Sequence, residues 1–140
     1  NPYDTVLSCF QQAFEPNNAM ANLTSLKKSS EIYNLSMSMW VKYKENLNLD
    51  FTTSKYESLI DDFDNHTKKI LEFLDLDWNS NLKNYTDTAL SRDKINTPSS
   101  SQVIQPLYKT SIGKWIHYSK YFEDCHVYLK KWVNYFEYKT

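Results

Sequence analysis

Between Asn18 and Leu47 the large apolar residues Met20, Leu23, Leu26, Tyr33, Met37, Trp40 and Tyr43 recur at spacings of three, four and seven. That periodicity predicts one long helix with a single apolar face, and it leaves Lys27, Lys28, Glu31 and Lys44 on the solvated side. The rest of the chain reads the same way. Asp4 is placed to cap a first helix running to about Phe14, with Val6, Leu7, Phe10 and Phe14 as its stripe and Pro16 as its stop. Leu49 to Thr53 reads as a short strand ending just before Tyr56, and the acidic cluster from Asp61 to Asn65 starts a helix to about Leu74. A short helix around Ser80 to Asp87, an irregular loop to about Tyr108 and a last helix from about Glu123 to Tyr138 complete the order. In the last helix Cys125, Leu129, Trp132, Val133 and Phe136 share one side. The expected fold is therefore mostly α, with one or two short strands and no internal repeat.

Charge and composition narrow the function classes. With 41% hydrophobic residues, 140 residues suffice for the core of one compact domain or a large piece of one. A net charge of -1 supplies no global field for nucleic acid or a membrane surface, so any anion site has to be local. No apolar run approaches the roughly 18 residues of a membrane helix. Cys9 and Cys125 stand far apart in no metal or redox spacing and read as buried thiols, a single disulfide being the alternative. His66, His117 and His126 have no metal-ligand spacing; Asp61, Asp62 and Asp64 lack the Gly and distal Glu of a calcium loop. Four Asn-x-Ser/Thr sequons, beginning at Asn22, Asn34, Asn65 and Asn84, read as chance in so Asn-rich a chain.

One stretch carries chemistry. Thr97, Pro98 and the serines Ser99, Ser100 and Ser101 precede Gln102, and Gly113, Lys114 and Trp115 follow. Hydroxyls and turn amides donate hydrogen bonds, a lysine adds a compact positive charge, and a glycine lets the backbone approach closely, so the composition suits a loop around an oxyanion. Alone, such a cluster is more often an ordinary surface loop.

The order T-P-S-x-x-Q-V-x-x-P-x-Y-x-x-S-x-G-K-W resembles the C-terminal nucleotide-binding loop of PAPS-dependent sulfotransferases, in particular protein-tyrosine sulfotransferases and their bacterial relatives with tetratricopeptide repeats. Tyr56-Glu57-Ser58-Leu59-Ile60, and Ile70 through Trp78, resemble the family's Y-E-x-L-V and I-L-x-F-L-G-L-x-W, with Asp75 where the family often has a helix-ending Gly. Asn1-Pro2-Tyr3-Asp4-Thr5-Val6-Leu7-Ser8 is similar to its 3′-phosphate motif, R-D/N-P-x-D-x-x-x-S. Together these cover residues 1 to about 120.

The resemblance implies that Ser8 meets the 3′-phosphate of PAPS or PAP near a helix N-terminus, and that Tyr56 bonds to or packs on the nucleotide. Ser99, Ser100, Ser101 and Gln102 would wrap the nucleotide within a binding loop over 97–115, and Lys114 would pair with a phosphate oxygen. Trp115, with Ile116 and Tyr118, is expected in the core. Gln12, Ile104 and Gln105 depart from the basic residues of relatives, and the family's P-R-S-G-T type phosphosulfate loop has no counterpart. The expectation is thus a single partial domain over 1–140, the C-terminal fragment of an α/β P-loop-like sulfotransferase domain. It would grip the donor, supply no catalytic residue and be inactive alone. The implied acceptor is a hydroxyl or amine, protein tyrosine among the candidates. Relatives work in the Golgi lumen in eukaryotes and often in the cytoplasm in bacteria. The competing expectation is a non-catalytic helical module that binds a partner through the aromatic surfaces of its long and last helices; under either reading an exposed apolar face favours self-association, and a dimer or larger is expected.

Overall fold

The computed structural model describes residues 1–12, 14–15, 17–91, 102 and 104–138. Its elements are α1 (Pro2–Gln11), α2 (Leu26–Asn46), α3 (Tyr56–Asp61), α4 (Phe63–Phe73), α5 (Tyr85–Leu90) and α6 (His126–Tyr135). Short 3-10 helices lie at Met20–Leu23, Ser80–Asn84, Lys114–Tyr121 and Glu123–Cys125. The chain is mostly α. No helix is long and apolar enough to cross a membrane among the described residues.

Two compact units form, one from Asn1–Leu49 with Thr110–Thr140, the other from Asp50–Lys109. In the first, α1, α2 and α6 pack on one another. Tyr3, Val6, Leu7, Phe122, Cys125, Leu129 and Val133 form its buried cluster, with Leu26, Tyr33, Trp115, Tyr128 and Tyr138 packed against it. Tyr3 stacks on Trp115 at 4.3 Å between centroids and meets Phe122 edge-on at 5.4 Å. Polar tips find partners at the rim. Tyr3 Oη bonds His126 Nδ1 at 2.7 Å, Tyr128 Oη donates to Glu31 Oε1, and Trp132 Nε1 donates to Asn34 Oδ1. Ser29 and Ser30 are buried on α2; Ser30 Oγ donates to the Leu26 carbonyl, whereas Ser29 Oγ has no hydrogen-bond partner among the described residues.

The second unit is thinner, with Ala89 its one buried hydrophobic residue among those described. Asp62 ends α3 and caps α4: its Oδ1 accepts from Asn65 N and its Oδ2 from Asn65 Nδ2. These bonds to Asn65 hold the Asp62 carboxyl below the usual carboxylate range. At the other end of α4, Asp75 takes a left-handed φ of 54° while Leu76 N donates to Leu71 O. This is a Schellman close in which Asp does what Gly usually does.

Several expectations are corrected. Leu49 to Thr53 is not a strand, and the described residues contain none. With no second strand among the described residues, the segment has no ladder to join. The long helix breaks before Leu26, where Ser25 Oγ accepts from Lys28 N and starts α2 afresh. Asn1, not Asp4, caps α1, with Pro2 opening the helix, and α1 ends at Gln11, short of Phe14. Phe10 is consequently exposed rather than core. The acidic cluster starts α4 as expected, with Asp62 as its cap, but a further short helix, α3, precedes it. Ile116, expected in the core, is 60% exposed, because the 3-10 turns of Lys114–Tyr121 direct Trp115 and Phe122 inward instead. Both cysteines are free thiols, Cys125 buried and Cys9 half-buried.

Candidate functional site

The turn before the Lys114 helix is bent by Gly113, whose φ of +71° is readily open only to a residue without a side chain. Asp4 reaches this turn from the first turn of α1. Its Oδ2 accepts from Gly113 N at 2.8 Å and its Oδ1 from Trp115 N at 2.9 Å, so one half-buried carboxylate grips the amides on both sides of Lys114. One α-helical turn after Ser8, Gln11 Oε1 accepts from Lys114 Nζ at 2.8 Å. Asp4, Ser8 and Gln11 stand at i, i+4 and i+7 on α1 and therefore share a face. Two members of that face hold the 113–115 turn, and exposed Ser8 lies between them.

The fold thus bonds Lys114 to a residue one turn after Ser8 on α1, although the two segments are separated by most of the chain. The bond Lys114 makes here is to a neutral amide, so that contact leaves the ammonium charge uncancelled, and Ser8 offers a hydroxyl as donor and acceptor. This pair suits a small oxyanion such as a phosphate monoester. Two features differ from expectation. Ser8 is past the midpoint of α1, where the helix dipole no longer favours an anion. The turn amides expected to donate to a ligand at positions 113 and 115 are already given to Asp4. An incoming anion would be held by side chains.

The other expected site residues are distributed differently. Tyr56 is not at a strand end but opens α3, and its hydroxyl donates to the Tyr108 carbonyl at 2.8 Å, which ties the start of α3 to the segment after Pro106. Tyr85 Oη reaches the Gln105 carbonyl, and Lys109 Nζ pairs with Asp61. Gln102 is exposed, and its carbonyl accepts from Gln105 N. Ser99, Ser100 and Ser101 lie outside the described residues. Gln12, half-buried, also lines an open cavity of about 440 Å³ with Phe10, Phe14, Met20 and Leu23.

Sequence reasoning missed Asp4 and Gln11. The signal for Asp4 was present: the chain's only Gly sits beside Lys114, and an acidic residue stands one turn before Ser8. Among the described residues no cluster of His, Cys, Asp and Glu could hold a metal ion. Burial pushes the Cys9 thiol up, which makes it a weaker nucleophile at neutral pH. Compared with family models, curated proteins and solved structures, the chain matches none.

Proposed function

We propose that this chain is part of a PAPS-dependent sulfotransferase and holds the donor nucleotide, with Ser8 and Lys114 on its 3′-phosphate. The observation that supports the reading is the bond from Lys114 to Gln11, on the face of α1 that also carries Ser8. PAPS supplies the sulfuryl group that moves to a hydroxyl or amine. In this reading Lys114 neutralises a phosphate oxygen, Ser8 donates to another, and both act by placing the donor rather than by moving protons. Tyr56, Ser99, Ser100, Ser101 and Gln102 remain the residues proposed for the rest of the nucleotide. The chain is proposed to contribute no catalytic base.

Calorimetric titration with PAP and with 5′-AMP, which lacks the 3′-phosphate, tests the reading. PAP should bind more tightly, and Lys114→Ala should lower PAP affinity by roughly tenfold or more, the worth of a charge-assisted hydrogen bond, while 5′-AMP is unaffected. Equal affinity for both nucleotides would overturn it.

A second reading, a helical interaction module, draws on exposed Leu35, Met39 and Tyr43 at four-residue spacing on α2, with Leu47 at its end. Self-association through an exposed apolar face is expected under either reading, and a monomer by light scattering refutes it.

A further inference from the structure

We infer that Asp4 is the positioning residue of the anion site, its carboxylate setting the Gly113–Trp115 turn so that Lys114 stands over the face of α1 that carries Ser8. The identity of the anion rests on the reading above; the geometry does not. Each carboxylate oxygen takes one amide, at 2.8 Å and 2.9 Å, and the two amides flank Lys114. Bidentate, charge-assisted bonds of this kind fix the orientation of a peptide as well as its distance. The Tyr3–Trp115 stack holds the indole ring at 4.3 Å, and Ile116 N donates to the Gly113 carbonyl at 3.1 Å, a bond inside the turn that does not reach α1. The Lys114–Gln11 bond does reach α1, but it joins two exposed side chains. Asp4 and Ser8 lie on the same rigid helix, so the carboxylate also sets how far the lysine stands from the serine hydroxyl.

This role opposes the simple charge argument. An acidic side chain beside a phosphate site should weaken anion binding through space, and its neutralisation should strengthen it. If Asp4 positions Lys114, its neutralisation weakens binding. Asp4→Asn in the full chain separates the two, because the amide keeps the shape and one acceptor but turns an N–H₂ toward a backbone N–H.

The chain's single glycine makes the readout direct, since Gly113 gives the one glycine amide resonance. In Asp4→Asn its proton should move upfield, and the cross-relaxation between the Lys114 side chain and the Gln11 amide should vanish. The methyl signals of buried Val6, Leu129 and Val133 should stay in place. PAP affinity should fall by on the order of tenfold, as for a lost charged hydrogen bond. An unmoved Gly113 resonance, or PAP affinity unchanged or increased, overturns the inference. If the unsubstituted chain shows no preference for PAP over 5′-AMP while Asp4→Asn still moves Gly113 and frees Lys114, the turn-setting role stands and the donor reading falls. Should Asp4→Asn not fold, Asp4→Glu reads the same contact: the longer side chain keeps the charge but displaces the carboxylate, so the Gly113 and Trp115 amide resonances must both move and PAP affinity must fall, and unmoved resonances or unchanged affinity overturn the role.

Discussion

Phe122 is the residue on which the scaffold of the Lys114 turn most depends. It is fully buried, between the two 3-10 helices, with its ring edge-on to Tyr3 at 5.4 Å and to Trp115 at 6.1 Å. Truncation to Ala removes a whole aromatic ring from the buried cluster, and loss of transfer energy together with the cavity left behind puts the cost at about 3–5 kcal/mol. The two edge contacts contribute about 0.5–1.5 kcal/mol each within that figure. Phe122→Leu keeps most of the volume but loses both ring contacts, so its cost should be roughly half as large. Against a total stability of about 5–15 kcal/mol, the Ala variant gives up a large share and the Leu variant a modest one. Urea unfolding followed by tryptophan fluorescence and circular dichroism measures both. A cost below about 1 kcal/mol for Phe122→Ala, the range of a surface site, would refute the packing argument.

Other outcomes are expected from the same structure. Ser29→Ala removes a buried hydroxyl without a hydrogen-bond partner among the described residues and should leave stability unchanged or raise it by about 1 kcal/mol, read as a shift in urea midpoint. Ser25→Ala removes the acceptor for Lys28 N at the start of α2 and should cost about 1 kcal/mol with a loss of helical signal. Gly113→Ala should cost about 1–2 kcal/mol from its left-handed backbone alone, because the added methyl meets only Ile116 Cδ1 at 3.4 Å. Burial pushes the Tyr33 phenol up to about 12 from 10.0. Between those values the unfolded chain ionises and the folded one does not, so this contribution is complete below pH 10.0 and is lost as pH rises towards about 12. Alkaline unfolding that is less steep in Tyr33→Phe would agree; an identical profile would not.

The helices were legible where an apolar stripe met a core of matching shape. Leu129, Trp132 and Val133 are buried on α6, as their spacing requires, and Asp75 takes the left-handed conformation at the close of α4. Boundaries were less evenly legible: the acidic cluster at Asp62 announced the start of α4, whereas Ser25 looks like a surface polar residue until its hydroxyl accepts from Lys28 N. The strand over Leu49 to Thr53 failed for a different reason: alternation in one segment says nothing about whether a second segment lies beside it. At the site, Ser8 and Lys114 could be chosen from the sequence, but the bonds that bring the Lys114 turn onto α1 could not. Asp4 and Gly113 are separated by most of the chain, and only the packing of α1 against the Lys114–Tyr121 segment makes their bond local.

A crystal structure of the chain with PAP bound tests the donor-binding claim most directly. The account places the 3′-phosphate within hydrogen-bond reach of Ser8 Oγ and Lys114 Nζ, with Asp4 still holding the amides of Gly113 and Trp115. A nucleotide bound elsewhere, or a 3′-phosphate seated on those two amides after displacing Asp4, would contradict it.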